Sequence, residues 1–146
     1  MRYWLLMAGT SERPMKADWY ASGREWRRSF GEVSMFSRRP RIAVADRLVF
    51  YAVGSPRSFK AGRICAVTEV TGEPTLSNHD RWPWKVARTF VVAGPRLEHC
   101  PTLDDIDVAT TSVRSHSHIR LTEEQGQRAE ELIAEAARRH GSLLPG

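Results

Sequence analysis

The stretch from Asp46 to Val70, DRLVFYAVGSPRSFKAGRICAVTEV, decides the fold of this 146-residue chain. Nearly every position from Leu48 to Val53 is apolar, which is typical of a strand that is covered on both faces. A second apolar strand is predicted to end at Val70. The join at residues 54–62 holds two glycines, a proline and two cations, and a third cation, Arg63, follows it directly. It therefore predicts a turn with a positively charged tip between two buried strands.

Further elements follow from apolar patterning outside this stretch. Strands are predicted at Tyr3 to Ala8, Glu32 to Ser37 and Lys85 to Ala93, and within Thr110 to Leu121. The last segment, Thr122 to His140, begins with a capping box and places its apolar residues at helical spacing. We expect one amphipathic helix there, which packs on the rest of the chain.

The positive charge of the chain is unevenly distributed. The net charge is +5, and residues 1–100 hold 17 Lys and Arg against 9 Asp and Glu, whereas residues 101–146 hold 5 against 8. A basic body of this kind favours a polyanionic partner, of which nucleic acid is the commonest. A basic surface that only keeps the protein soluble would give the same count.

Several classes of protein are disfavoured by what the sequence lacks. Only two cysteines occur, Cys65 and Cys100, so neither a disulfide framework nor a CxxC metal site is indicated, and a reducing, cytoplasmic location is expected. The apolar run at the N-terminus is about half of the ~18 residues that a membrane span needs, so no membrane partner is expected. No phosphate-binding loop, nucleophile elbow, HExxH or GxGxxG motif is present, which favours a non-enzymatic protein without a cofactor.

Aromatic residues beside cations are the first candidate site. The chain has five tryptophans, at positions 4, 19, 26, 82 and 84. An indole ring can stack on a base while a neighbouring cation meets phosphate. Trp4 is expected in the core because it lies in mid-strand. For Trp26 and Trp82 both readings stay open, and Trp84 is either a pocket wall or packing.

The segment from Arg114 to His118, RSHSH, is the second candidate. The two-residue period of a strand puts Arg114, His116 and His118 on one face. A metal site would need further ligands from distant positions, and no spacing indicates them. A polar wall of a ligand pocket and an ordinary exposed strand face are the other two readings.

Two basic runs flank the first central strand. They are Arg38-Arg39-Pro40-Arg41 and the loop from Arg57 to Arg63, and they lie at opposite ends of the strand, roughly 15–20 Å apart. A duplex could touch both runs, whereas a small ligand could not. Solvated surface without a partner is the alternative reading.

The order of these features resembles an EVE domain of the PUA-like superfamily, which is related to the YTH readers of methylated RNA. The resemblance covers almost the whole chain and lies in Arg2-Tyr3-Trp4-Leu5, in Ala45-Asp46 where the family usually has Gly-Asp before an apolar strand, in Gly62-Arg63-Ile64, in Trp82-Pro83-Trp84-Lys85-Val86, and in the late Ser-rich strand before the closing helix. It implies a single α+β domain over residues 1–146, built on a curved, barrel-like mixed sheet with surrounding helices and a C-terminal amphipathic helix. It also implies an aromatic-walled pocket for a flipped or unpaired modified base.

The sequence therefore predicts a non-enzymatic reader of DNA or RNA that takes one base, expected to be a modified one, into an aromatic pocket beside a basic surface. The residues assigned to the base pocket are Trp26, Ser34, Tyr51, Trp82, Trp84, Ser112, Arg114 and His116, and those assigned to phosphate are Arg38, Arg39, Arg57, Lys60 and Arg63. One alternative is a nucleotide-binding protein or hydrolytic enzyme that uses the same pocket. Another is a module whose basic loops meet an acidic protein.

Overall fold

The computed structural model describes residues 1–8, 33–52, 62–109 and 118–142. Within these ranges the strands are β1 (Tyr3–Ala8), β2 (Val33–Phe36), β3 (Arg47–Ala52), β4 (Arg63–Val70), β5 (Thr75–Leu76), β6 (Trp84–Ala93) and β7 (His118–Leu121). The helical elements are 3₁₀ turns at Leu97–His99 and Asp104–Ile106 and the C-terminal helix α1 at Glu123–His140.

The described strands form one mixed sheet that curls into a half-barrel. Their order is β2-β6-β4-β3-β1-β7, and β5 pairs with β6 outside this path. Strands β1 and β3 run parallel, whereas the other pairs are antiparallel. The predicted α+β class with a barrel-like mixed sheet is confirmed, and β3 and β4 pair at its centre. The loop that joins these two strands, residues 53–61, lies outside the described residues.

The sheet is covered on both faces, and alternation along β3 shows how. Leu48 and Phe50 belong to one apolar cluster, which we call the barrel cluster, together with Trp4, Phe36 and Val86. Val49 and Tyr51 point the other way because successive side chains of a strand alternate between the two faces. They belong to the helix cluster, which includes Tyr3, Leu5, Ile64, Ala129 and Ile133. Burial on both sides explains the continuous apolar run of this strand.

The C-terminal helix forms as its sequence predicts. The Thr122 hydroxyl accepts a hydrogen bond from the Gln125 backbone N–H at 3.1 Å, and the Gln125 side chain accepts one from the Thr122 N–H at 3.0 Å. This capping box satisfies two backbone donors at the helix start. Gly141 ends the helix with φ of 85°, a conformation that favours glycine. None of the helices in the described ranges is both long enough and apolar enough to cross a membrane.

The turn before β3 carries a local strain. Ala45 has φ of 71°, in the left-handed region that side chains other than glycine seldom adopt. Its N–H donates to the Val70 carbonyl at 2.9 Å, and the Val70 N–H donates to the Asp46 carbonyl at 2.9 Å. These two bonds hold the turn against the end of β4. They also place the Asp46 side chain under the start of β1, where it acts on the candidate site.

Candidate nucleic-acid interface

A cavity of about 310 Å³ opens where β1, β2, β7 and the segment after β2 meet. It combines aromatic rings with cations, and its lining residues are Trp4, Phe36, Ser37, Arg38, Arg39, Pro40, Arg41 and His118. We call it the aromatic-basic cavity. Rings suit the faces of a base and guanidinium groups suit phosphate oxygens, so the lining fits the two parts of a nucleotide.

Three strands supply the rings of the aromatic-basic cavity. The centroids of the His118 and Trp4 rings are 5.6 Å apart, and the two ring planes meet at an angle of 58°. It also meets Phe36 edge to face at 5.2 Å and 80°. Trp4 and Phe36 are buried, whereas His118 is half-buried. His118 is therefore the ring of this trio that a ligand reaches most easily.

Asp46 fixes the orientation of Trp4. Its Oδ2 accepts a hydrogen bond from the Trp4 indole Nε1–H at 3.0 Å and another from the Ala43 N–H at 3.0 Å. Its Oδ1 accepts from the Arg2 N–H at 3.0 Å. The Arg2 side chain in turn donates to the Arg41 carbonyl at 2.7 Å, which ties the cavity wall to β1. The carboxylate that orients the indole is thus itself fixed by the backbone N–H groups of Arg2 and Ala43 and by the Arg2 side chain.

The environment of Asp46 stabilises its charged form. Burial alone would raise the pKa of this carboxyl, but the hydrogen bonds from Ala43, Trp4 and Arg2 and the charge of Arg2 outweigh burial and lower the pKa below its ordinary value. A group whose pKa is lower in the folded chain adds stability that is complete above its unfolded pKa of about 3.9 and is lost as the pH falls through its folded value.

Replacing Asp46 with asparagine is expected to lower the free energy of unfolding by about 2–3 kcal/mol at neutral pH. The amide has one acceptor oxygen. Its NH₂ group would replace the other carboxylate oxygen and would then face an N–H donor, with which it cannot form a hydrogen bond. Urea unfolding at about pH 7 and about pH 3 would measure the effect, and the difference from the unaltered chain should shrink at the lower pH. A deficit that is equal at both pH values would contradict a charged Asp46.

Three arginines form the rim of the cavity. Arg38, Arg39 and Arg41 are exposed and follow β2 directly. The Arg39 guanidinium lies 5.3 Å from the ring centroid of Trp84, which pairs with Phe36 across β2 and β6. Trp84 is half-buried against the barrel cluster. It therefore lies beside the rim residue Arg39 but outside the cavity lining, and its assigned role in the base pocket stays a prediction.

A buried polar pair lies behind this rim. The Arg88 Nε donates to the Ser34 hydroxyl at 2.8 Å, and its guanidinium lies 4.6 Å from the centroid of Phe50. Both Ser34 and Arg88 are buried, and burial lowers the pKa of Arg88 to about 10, so it stays charged at neutral pH. Ser34 was assigned to a base edge. In the structure its hydroxyl oxygen accepts from Arg88, and its assigned role stays a prediction.

Trp82 lies apart from the cavity lining, on the exposed segment that leads into β6. Its indole is 44% exposed and stacks on His79 at 5.2 Å and 28°. The His79 Nδ1 accepts hydrogen bonds from the backbone N–H groups of Arg81 and Trp82, at 3.2 and 3.1 Å. The Arg81 guanidinium lies 5.7 Å from the same indole. This segment presents a ring and a cation to solvent, so Trp82 has the exposure that its assigned role requires.

Two assigned residues lie elsewhere. Tyr51 was expected near Trp84, but it belongs to the helix cluster on the other face of the sheet, because it lies one position beyond Phe50 on the same strand. Its assignment to the base pocket stays a prediction, because four residues assigned to the same pocket lie outside the described ranges. Arg63 was assigned to phosphate, and its guanidinium donates to the Cys100 carbonyl at 2.8 Å, away from the cavity lining. The assigned residues that lie outside the described ranges are Trp26, Arg57, Lys60, Ser112, Arg114 and His116.

Sequence reasoning did not assign six of the eight residues that line the cavity. Five of them lie within two positions of assigned residues along the sequence, so the local patterns did point to them: Phe36, Ser37, Pro40, Arg41 and His118. Trp4 was expected in the core, and it is only 8% exposed, yet one edge of it lines the cavity. The signal for Trp4 is its alternation with Tyr3 and Leu5, which places it on the face that carries Phe36.

Comparisons with known proteins show the fold. No family model and no curated protein matches the chain. Among solved structures, the MmI1 YTH domain superposes with a TM-score of 0.60 at 9% identity, over 96% of this chain and 100% of that one. The Mmi1 YTH domain complex with RNA gives 0.58 at 8% identity, over 94% and 80%. Rpa0253 from Rhodopseudomonas palustris gives 0.59 at 16% identity, over 92% and 94%. At these identities the likeness concerns architecture, and the chain shares the curled mixed sheet of these proteins.

Proposed function

We propose that this protein is a non-enzymatic nucleic-acid reader that takes one unpaired base into the aromatic-basic cavity while the rim arginines hold the adjoining phosphates. The observation that carries the proposal is the lining itself, in which three rings and three guanidinium groups share about 310 Å³. One base fits a cavity of this size, and the cations stand at its mouth rather than at its floor. A modified base is the finer expectation, since the cavity offers ring faces on which an added apolar group would gain contact.

RNA is the favoured nucleic acid. Structures of the Mmi1 YTH domain, which has the same architecture, were obtained with RNA. The exposed cations support a polyanion independently of that likeness, since Arg38, Arg39 and Arg41 have no carboxylate within ion-pair distance among the described residues. Guanidinium groups without a carboxylate partner in the described ranges are candidates for phosphate contact.

The test is a binding titration with labelled RNA and DNA of matched sequence, each with and without base modifications, followed by fluorescence anisotropy. The proposal expects RNA binding that weakens as salt is added, because counterions are released when cations meet phosphate. It also expects one modified oligonucleotide to bind more tightly than its plain counterpart. A flat response to salt would exclude phosphate contact, and turnover of free nucleotides by the same preparation would favour a hydrolytic enzyme instead.

Trp84 lies beside Arg39 and outside the cavity lining, so we assign it to a base next to the one in the cavity. Replacing Trp84 with alanine is expected to weaken RNA binding by about 5- to 150-fold, since one stacked base is worth ~1–3 kcal/mol. Replacing it with phenylalanine should retain most of the affinity, because a ring face remains. Trp82→Ala serves as the comparison for the exposed segment, and thermal unfolding would verify that each variant is folded. Unchanged affinity in both Trp84→Ala and Trp82→Ala would refute stacking by these tryptophans.

A further inference from the structure

A second cavity, of about 380 Å³, lies at the other end of β6. Its lining residues are Arg96, His99, His140, Gly141 and Ser142. Strand β6 has ten residues, so at ~3.3 Å per residue its two ends lie about 30 Å apart. The 3₁₀ turn after β6 and the end of helix α1 form this cavity, and the Ser142 hydroxyl joins them by donating to the Ala93 carbonyl at 3.0 Å.

Two imidazole rings form one wall of this second cavity. The rings of His99 and His140 are parallel within 7°, and their centroids are 3.8 Å apart. Each ring has one N–H donor when neutral and two when protonated. Because the two ring planes are parallel, the N–H donors of His99 and those of His140 lie in two layers about 3.8 Å apart. A tetrahedral anion carries several oxygens and can accept from both layers at once.

The charges around the rings leave a positive excess when both are protonated. Arg96 is exposed, and its guanidinium has no carboxylate within ion-pair distance in the described part of the chain. One carboxylate faces the pair, that of Glu98, whose Oε1 lies 3.6 Å from His99 Nε2. On helix α1, Arg138 and Arg139 are both paired with Glu135. Among the described residues, three cations therefore face one carboxylate in the acid form.

The end of helix α1 makes this excess depend on protonation. The last carbonyls of a helix carry partial negative charge, which disfavours an anion beside neutral rings. Two stacked imidazolium rings repel each other unless an anion compensates them. An anion and the protons should therefore bind together, and each should strengthen the binding of the other.

A metal ion fits the second cavity less well. Zinc and similar ions need three or four ligands whose lone pairs converge. In the described residues no group of three His, Cys, Asp or Glu side chains is placed to hold a metal. Parallel rings also direct their lone pairs along separate layers.

We propose that Arg96, His99 and His140 form a proton-coupled binding site for a phosphate group. The site is separate from the aromatic-basic cavity, and the proposal does not rest on the function proposed for that cavity. Affinity rises as the pH falls, by up to about tenfold per pH unit for each proton taken up.

Calorimetric titration with inorganic sulfate and phosphate, from about pH 8 to about pH 5.5, tests the site. Sulfate stays a dianion over this range, so any change in its affinity reports on the protein. We expect tighter sulfate binding at the lower pH, proton uptake on binding, and shifts of the His99 and His140 imidazole signals in NMR spectra. Absence of these shifts, or affinity that does not change with pH, would overturn the proposal.

Variants of exposed residues distinguish sulfate binding at this site from attraction of sulfate by the overall charge of the protein. His99→Gln, His140→Gln and Arg96→Gln should each weaken sulfate binding, whereas His79→Gln, at the other end of β6, should not. Glu98→Gln is the sharpest variant, because removing the competing carboxylate strengthens the binding of an anion and weakens that of a metal ion. Weaker sulfate binding in Glu98→Gln, or an equal loss in His79→Gln, contradicts the assignment.

The phosphate has two sources, a free anion or the backbone of a nucleic acid. RNA of about three nucleotides cannot span the ~30 Å between the two ends of β6 when one base is held in the first cavity, whereas RNA of about twenty nucleotides can. If His140→Gln weakens the binding of the long RNA at about pH 6 as well as that of sulfate, and leaves the binding of the short RNA unchanged, the site takes backbone phosphate. If it weakens sulfate binding alone, the site takes a small anion.

Discussion

Replacing Gly126 with alanine is expected to lower the free energy of unfolding by about 3 kcal/mol, although alanine is the better helix former by about 1 kcal/mol. A Cβ atom at this position would lie 2.0 Å from Cγ and 2.2 Å from Cδ1 of Tyr3. The Tyr3 ring is 3% exposed and cannot move without disturbing β1. The glycine is what allows helix α1 to approach the sheet so closely, and steric overlap outweighs helix propensity.

Urea unfolding would measure the loss, and Gly72→Ala is the matched control because its Cβ would have nothing within 4 Å. That variant should change stability by a few tenths of a kcal/mol at most. The double variant Tyr3→Ala with Gly126→Ala should cost less than the two single changes together, since removal of the ring opens the space. A Gly126→Ala chain more stable than the unaltered one would show that α1 stands farther from β1.

The fold was predictable from this sequence because its strands are strongly patterned. The run from Leu48 to Val53 indicated a strand buried on both faces, and β3 at Arg47–Ala52 is covered by one apolar cluster on each side. The helix followed from its capping box and the spacing of Ala129, Ile133 and Ala136, all of which are buried. These signals are local, and local patterns survive in the folded chain when packing agrees with them.

The candidate site was less predictable because its parts come from distant positions. Register brings them together: Trp4 lies beside Leu48 on β3 and beside Arg120 on β7, so a residue near the start of the chain meets one near its end. No periodicity in the sequence fixes that pairing. Tyr51 illustrates the same limit, since alternation separates two faces but does not say which face holds the cavity.

The basic run Arg38-Arg39-Pro40-Arg41 shows how far charge alone can be interpreted. Arg38 and Arg39 were assigned to phosphate from the sequence, with solvated surface as the alternative. The structure places all three arginines at the mouth of a cavity lined by rings, and the Arg2 side chain fixes the wall by donating to the Arg41 carbonyl. Position beside rings, rather than charge density, is what makes this run the better candidate for phosphate contact.

Replacing Arg38, Arg39 and Arg41 together with glutamine is expected to weaken binding of a short RNA by about 100-fold at low salt and to reduce the slope of log K against log salt by about 2. Each phosphate contact on a single strand contributes about 0.7 to that slope, and three contacts are removed. The three side chains are exposed, so the variant should unfold at nearly the temperature of the unaltered chain. Anisotropy titrations at several salt concentrations would give both quantities.

The matched control removes the same charge from helix α1, by Arg128→Gln, Arg138→Gln and Arg139→Gln. These arginines are exposed and lie on a different part of the chain from the aromatic-basic cavity. If binding depends only on net charge, both triple variants should lose the same slope. If the rim arginines contact phosphate, the control should keep nearly the whole slope while the rim variant loses most of it, because only charges that release counterions at the binding site enter the salt dependence.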